Sequence, residues 1–172
     1  EAARRRLAAS IEGKAQEMSE LISNVLDLMR FEAGGVRLRR DWETVDDLVG
    51  TALTRLATRL AGHLVDVTLP PELPAVHVDA PLVTQVLVNL FENAAKYTPA
   101  GTRLGVSAVV DGDFVRVIVE DDGPGLPPGD ADRLFAKFQR GRDEDSTGGA
   151  GLGLAICREI VDAHGGRIEA AA

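Results

Sequence analysis

Hydrophobic residues recur every three or four positions through the first 33 residues, which is the spacing of one face of an α-helix. The residues on this face are Leu7, Ile11, Met18, Leu21, Ile22, Val25, Leu28 and Met29. A Gly pair follows at positions 34 and 35, and glycines of this kind commonly end helices. We therefore predict one long helix over residues 1–33, with an apolar stripe that needs a partner helix to cover it.

After the Gly pair, the pattern changes to shorter segments separated by Gly and Pro. β-rich or alternating runs predict strands, and three-to-four spacing predicts helices. The predicted strands are residues 36–40, 63–69, 75–78, 102–110, 114–120 and 166–171. The predicted helices are residues 44–60, 79–97, 130–137 and 151–164. Because strict βαβ alternation is absent, we predict a two-layer α/β sandwich, with helices on one face of a mixed sheet.

Composition narrows the classes of function. The 172 residues carry a formal net charge of −8 and 4% aromatic residues. An acidic chain repels phosphate backbones and has few rings to stack on bases, so we expect no nucleic-acid partner. No apolar run is long enough to span a bilayer, and the one cysteine, Cys157, cannot form an internal disulfide. We therefore expect a cytoplasmic setting.

The predicted helix over residues 79–97 combines an apolar body with polar residues on one stripe. Asn89 and Asn93 are one turn apart, and Lys96 and Tyr97 extend the stripe. A carboxamide oxygen suits a hard cation such as Mg²⁺, and a lysine one turn on can meet phosphate. The alternative is that both asparagines face solvent on an ordinary amphipathic helix.

A predicted strand runs into an acidic, Gly-rich turn at residues 119–125. The carboxylate of Asp121 at the strand end can accept a hydrogen bond from an exocyclic amine such as that of adenine. Gly123 and Gly125 allow a close approach of the backbone. The alternative is a plain turn after a strand.

Glycines also open the last predicted helix, in the segment 148–153. Backbone N–H groups and the helix dipole favour an anion at such a position. The segment is not a Walker A loop, because no Lys-Ser or Lys-Thr follows, and Leu154 breaks the G-x-G-x-x-G pattern. A flexible linker before a helix is the alternative. Between these two Gly-rich segments, Phe135 and Phe138 are three residues apart, a spacing typical of core packing.

The order and spacing of these four segments resemble the N, G1, F and G2 boxes of sensor histidine kinases, within the GHKL ATP-binding superfamily. The resemblance covers residues 36–171 and implies the Bergerat ATP-binding fold. Residues 1–33 look like one helix of a dimerisation and phosphotransfer hairpin, so residues 34–172 would form the catalytic domain, with its C-terminal strand truncated. The segments 26–35, 93–97 and 123–129 are most similar to the potassium-responsive sensor kinases of this family.

The resemblance implies ATP and Mg²⁺ as ligands and a role for each residue. Asn93 would coordinate Mg²⁺, Asn89 would support the same site, and Lys96 would approach phosphate. Asp121 would bind the adenine amine, and Tyr97 would pack against the base or ribose. Gly-rich backbone would shape the adenine pocket and cradle the phosphates at Gly123, Gly125, Gly149, Ala150, Gly151, Leu152 and Gly153. A lid over residues 126–150 would include Phe135 and Phe138 as anchors, with Arg140 near the phosphates or the partner domain.

The resemblance also implies a kinase that donates phosphate to a histidine outside this sequence. Gyrase-like relatives place a catalytic Glu where this chain has Asn89, and Asn cannot act as a general base. His63, His77 and His164 do not fit the family's acceptor pattern. The implied partners are an upstream acceptor helix, a response regulator and a second copy bound through residues 1–33, in the cytoplasmic part of a membrane-anchored sensor. The alternative is a nucleotide-binding regulatory module without phosphotransfer.

Overall fold

The computed structural model describes residues 1–33, 36–126, 131–136 and 151–171. In chain order, the elements are α1 (Ala2–Glu32), β1 (Asp41–Glu43), α2 (Val45–Arg55), β2 (Leu64–Thr68), β3 (Val76–Val78), α3 (Ala80–Tyr97), β4 (Arg103–Asp111), β5 (Phe114–Asp121) and α4 (Gly153–Ala163). A short 3-10 helix over Ala131–Phe135 lies between β5 and α4.

The strands form two sheets. In the larger sheet the order is β2-β4-β5, with β2 parallel and β5 antiparallel to β4. The β4–β5 hairpin turns at Gly112, whose φ of +61° is a conformation that side chains disfavour. Strands β1 and β3 form a separate antiparallel pair in which Trp42 lies opposite His77. The predicted single mixed sheet is therefore divided into two.

Helix α3 lies between two hydrophobic cores. The first core joins α2, α3 and β4 and includes Val49, Phe91 and Leu104, each at most 1% exposed. The second joins α1, α3 and α4 through Val86, Ile156 and other side chains. Each fully buried side chain of this size contributes about 1.5–3 kcal/mol to folding. Because two faces of α3 are buried, the helix backbone that carries the remaining polar stripe is held in place.

Helices α2 and α3 begin at side-chain caps. Thr44 Oγ1 accepts a hydrogen bond from the backbone N–H of Asp47 at 3.1 Å, and Asp79 Oδ1 accepts one from Leu82 at 3.4 Å. Pro81 stands in the first turn of α3, where no amide donor is needed. These caps fix where α3 starts and therefore which of its residues face the two cores.

Asp79 also joins three parts of the chain. Its Oδ2 accepts a hydrogen bond from the backbone N–H of Arg39 at 2.8 Å, and its own N–H donates to His164 Nε2 at 3.0 Å. The guanidinium of Arg40 donates to the carbonyl of Ala163 at 3.0 Å. The segment that follows α1 is thus bonded to the start of α3 and the end of α4.

Helix α1 contacts the rest of the molecule through its C-terminal part. Every described side chain from residue 1 to residue 23 is exposed, including Leu7 and Met18 at 62% and 63%. Leu28 is 6% exposed and belongs to the second core, against which Val25 and Phe31 also pack. The stripe predicted from the sequence is therefore uncovered over most of its length. Within the described residues, no helix is both long and apolar enough to cross a membrane.

The α/β sandwich is confirmed, but several predicted boundaries are wrong. The strand predicted at 36–40 begins at Asp41, because the backbone at Arg39 is bonded to the Asp79 side chain instead of a neighbouring strand. The strand predicted at 166–171 is irregular, and no described strand pairs with it. The helix predicted to residue 60 ends at Arg55 and continues as turns. The helix predicted over 130–137 is described only as the 3-10 helix 131–135.

Candidate functional site

The polar stripe of α3 carries four of the residues selected from the sequence. Asn89 is half-buried, and its Nδ2 donates to the carbonyl of Gly153 at 3.2 Å. Asn93, one turn later, is also half-buried, and its carboxamide has no partner in the described part of the chain. Lys96 Nζ donates to the hydroxyl of Tyr97 at 3.0 Å. A half-buried carboxamide oxygen without a partner fits a ligand for a hard cation.

Asp121 lies at the end of β5, where the strand leaves the sheet. Its Oδ1 accepts a hydrogen bond from the backbone N–H of Gly123 at 3.0 Å. The carboxylate is exposed, so Oδ2 is accessible to an external donor such as an exocyclic amine. Gly125 follows with a φ of +78°, which only glycine adopts readily.

Gly123 is in close contact with the end of α3. A Cβ added at Gly123 would lie 2.6 Å from Asp121 Oδ1 and 2.6 Å from Thr98 Cγ2. Thr98 is therefore part of this site, although the sequence interpretation gave it no role beyond the end of the helix. In the sequence, the position of Thr98 directly after Tyr97 was the available signal for its role. The contact between Thr98 and Gly123, however, depends on how the loop after β5 folds back.

The N-terminal end of α4 supplies the second Gly-rich part of the site. Leu152 occupies the N-cap position without a side-chain hydrogen bond and is 1% exposed, which anchors the loop in the second core. Gly151, just before it, has a φ of +66°. An uncapped first turn leaves backbone N–H groups that can bind an anion.

The two Gly-rich parts contact opposite ends of the polar stripe. Asn89 contacts Gly153, and Thr98 contacts Gly123. Thr98, the residue after α3, is nine positions along the chain from Asn89, a distance of about 13 Å along the axis. Asn93 lies between them. The arrangement is an elongated site with a carboxylate at one end and a helix N-terminus at the other.

A buried thiol lies behind the Asn89 end. Cys157 is fully buried, and burial raises the pKa of its thiol to about 12, although a hydrogen bond with Asn89 acts in the opposite direction. The thiol therefore stays protonated at neutral pH and is a core residue, not a nucleophile.

Within the predicted lid, the structure describes residues 126 and 131–136, and Phe135 is the buried aromatic side chain among them. It is 5% exposed and packs on α4, where the guanidinium carbon of Arg158 lies 4.7 Å from the ring centroid. Phe138, Arg140, Gly149 and Ala150 lie outside the described residues. Their roles remain predictions.

Metal binding in the described residues would depend on few protein ligands. No group of three or more His, Cys, Asp or Glu side chains able to hold a metal ion occurs there. An ion at Asn93 would take its other oxygen ligands from phosphate groups and water, which is common for Mg²⁺. The donor set thus fits a nucleotide-bound Mg²⁺ ion.

Comparisons with known proteins identify the family of this chain. Residues 78–172 match the family described as "Histidine kinase-, DNA gyrase B-, and HSP90-like ATPase". This range contains α3, α4 and every predicted nucleotide-site residue.

Individual relatives show which members of this family are similar to the chain. Sensor protein KdpD of Escherichia coli (strain K12) is 44% identical over 165 residues, covering 96% of this chain and 18% of that protein. The chain thus spans less than a fifth of that relative. The solved structure of the mycobacterial sensor histidine kinase MprB has a TM-score of 0.66 and 30% identity, covering 76% of this chain and 83% of that chain.

Full-length ShkA in complex with AMPPNP gives a TM-score of 0.81 at 28% identity, covering 96% of this chain and 35% of that chain. The family match includes more than half of this chain, and MprB is matched over most of its solved length. The chain therefore belongs to the histidine kinase-, DNA gyrase B- and HSP90-like ATPase family and, within that family, to the sensor histidine kinases.

Proposed function

We propose that this chain is the ATP-binding catalytic domain of a two-component sensor histidine kinase. It transfers the γ-phosphate of ATP to a histidine on an upstream helix, for relay to an aspartate of a response regulator. The observation that carries the proposal is the single polar stripe of α3, which meets the Asp121–Gly123 turn at one end and the uncapped α4 at the other.

In this proposal, different residues of the site bind different parts of the nucleotide. Asp121 accepts a hydrogen bond from the adenine amine, and the α4 N-terminus with Gly151 and Gly153 binds the phosphates. Asn93 coordinates Mg²⁺, which offsets the charge that develops on the phosphoryl group. Lys96 now donates to Tyr97, and its flexible ammonium can turn to phosphate when the nucleotide binds.

The lack of a general base on α3 favours phosphotransfer over hydrolysis. Asn89 is a carboxamide whose Nδ2 donates to Gly153, so it cannot accept a proton from water. The nearby carboxylate, Glu92, forms an ion pair with Arg59 of the segment after α2. Because α3 offers no unpaired carboxylate to activate water, the γ-phosphate persists until a histidine attacks it.

The exposed stripe of α1 supports a homodimer through residues 1–33, with residues 34–172 as the catalytic domain. Burial of the stripe against a second copy would remove its large apolar side chains from water. Ile11→Glu combined with Ile22→Glu should shift the chain from dimer to monomer in light scattering. Two exposed polar positions, Arg4→Glu and Ser19→Glu, are the control. A monomeric parent chain at high concentration would contradict the dimer.

The similarity to KdpD supports potassium or osmotic signalling through a KdpE-like response regulator, in the cytoplasmic part of a membrane-anchored sensor. Phosphotransfer from this chain to a separately supplied acceptor helix tests the kinase assignment. Binding of ATP without any transfer would favour the alternative, a nucleotide-binding regulatory module.

Calorimetric titration with Mg·AMPPNP tests the nucleotide site directly. Asp121→Asn should weaken binding about tenfold or more, because a hydrogen bond to a charged acceptor is lost. Asp122→Asn removes the same charge one residue away and should leave affinity within about twofold. Equal losses in the two variants would mean that net charge, and not adenine recognition, controls binding.

A further inference from the structure

His63 lies in the turn before β2 and reaches the end of α3. Its backbone N–H donates to the carbonyl of Leu60 at 2.9 Å, which holds the turn. Its ring Nε2 is 3.1 Å from Thr98 Oγ1. The other ring nitrogen, Nδ1, is buried and has no hydrogen-bond partner within the described residues. A half-buried imidazole whose ring makes one hydrogen bond within the described residues points to a role for that bond.

The direction of the His63–Thr98 hydrogen bond follows from the second bond of the hydroxyl. Thr98 Oγ1 donates its one hydrogen to the carbonyl of Ala94 at 2.7 Å. It must therefore accept a hydrogen bond from His63 Nε2–H. Two hydrogen bonds in opposite directions fix the Oγ1 position, and with it the rotamer and the methyl group of Thr98.

The fixed methyl group abuts the turn that carries Asp121. A Cβ at Gly123 would lie 2.6 Å from Thr98 Cγ2, so the Gly123 backbone packs directly on this methyl. The N–H of Gly123 in turn donates to Asp121 Oδ1 at 3.0 Å. A continuous series of contacts therefore runs from the His63 ring through Thr98 and Gly123 to the Asp121 carboxylate.

We propose that His63 is a positioning residue for the nucleotide site. Through Thr98 and Gly123, it holds the Asp121 carboxylate in the orientation that accepts a purine exocyclic amine. The inference rests on the proposed ATP-binding function, because it concerns the same carboxylate. It predicts an effect on the choice between purines, which loss of a purely structural residue would not produce.

The first test compares His63→Leu with His63→Gln, whose side-chain N–H can replace Nε2–H. His63→Leu should bind Mg·ATP about fivefold more weakly, the effect of one neutral hydrogen bond, and Mg·ITP nearly as well as the parent, since inosine lacks the amine. His63→Gln should restore the ATP preference. His77→Leu, at the exposed central position of β3, is the matched control and should change neither affinity. Equal losses for ATP and ITP, or failure of Gln to rescue, would overturn the proposal.

A second test needs no nucleotide. In NMR spectra of the ¹⁵N-labelled chain, His63 should be the Nε2–H tautomer, and the Gly123 amide resonance should shift in His63→Leu but not in His77→Leu. If His63→Leu does not fold, Thr98→Val replaces it in this test. Thr98→Val keeps the branched shape without the hydroxyl and should also shift the Gly123 resonance. An unmoved Gly123 resonance overturns the coupling. If the parent binds no nucleotide while Gly123 still shifts, the proposed function fails and the coupling stands.

Discussion

The two ends of the α3 stripe are built in different ways. At the Thr98 end, the glycine is enclosed by side chains, with Thr98 Cγ2 and Asp121 Oδ1 each 2.6 Å from where a Cβ would stand. At the Asn89 end, the nearest side-chain atom to a Cβ on Gly153 is Asn89 Cγ at 3.8 Å, an ordinary contact distance. The Thr98 end, where we propose that the base binds, is therefore built from interlocking side chains, whereas the Asn89 end, proposed for the phosphates, presents backbone groups with space around them.

The largest effect should come from adding a methyl group at Gly123, at the enclosed Thr98 end of the stripe. Gly123→Ala forces Thr98 or Asp121 to move, so AMPPNP affinity should fall by more than about tenfold and stability by about 1–3 kcal/mol. Gly112→Ala, at the hairpin turn, has a positive φ but nothing within 4 Å of its Cβ. It should lose about 1 kcal/mol of stability and retain affinity. Calorimetry and thermal unfolding measure both quantities, and unchanged affinity in Gly123→Ala would contradict the enclosed site.

An effect of intermediate size on stability is expected from the buried thiol of Cys157, which lies next to the Asn89 end of the stripe. The pKa of Cys157 rises from 9.0 to about 12 on folding, so the unfolded chain loses this proton first as pH increases. The contribution is fully present below pH 9, and stability should then fall by up to about 1.4 kcal/mol per pH unit above it. Denaturant unfolding of the parent and of Cys157→Ala between pH 8 and 10.5 isolates this slope. Parallel pH profiles would show that Cys157 is not responsible.

The smallest effect should come from adding a methyl group at Gly153, at the Asn89 end of the stripe, where there is space for it. Gly153→Ala places a methyl group at the first position of α4 without a clash, so it should stabilise the chain by up to about 0.5 kcal/mol and leave AMPPNP affinity within about twofold. Gly151→Ala is the matched contrast, because its φ of +66° makes the same methyl group costly. A large affinity loss in Gly153→Ala would mean that the Asn89 end of the stripe is as tightly enclosed as the Thr98 end.

Features specified by neighbouring residues could be predicted from the sequence. The start of α3 at Asp79 and Pro81, its apolar faces and the β4–β5 hairpin all depend on residues within a few positions of each other. These features also determine that Asn93 lies on α3 and Asp121 at the end of β5. The motif residues could therefore be named from the sequence, and their roles at the nucleotide stay predictions.

Features specified by distant contacts could not be predicted in this way. Residues 36–40 alternate like a strand, yet Arg39 bonds a side chain 40 positions later. Thr98 belongs to the site because Gly123 folds back onto it, and His63 because a separate turn reaches the same threonine. Local periodicity contains no information about such long-range pairs.

The bonded junction after α1 gives that helix the properties of a lever. Its last turns pack into the second core, and the following segment is bonded to the start of α3 and the end of α4. The rest of its 31 residues extends away from this fulcrum, for a total length of about 45 Å. A tilt of a few degrees at the fulcrum therefore displaces the far end by a few ångströms. Conversely, a force on the far end acts on the two helices of the nucleotide site with a large mechanical advantage.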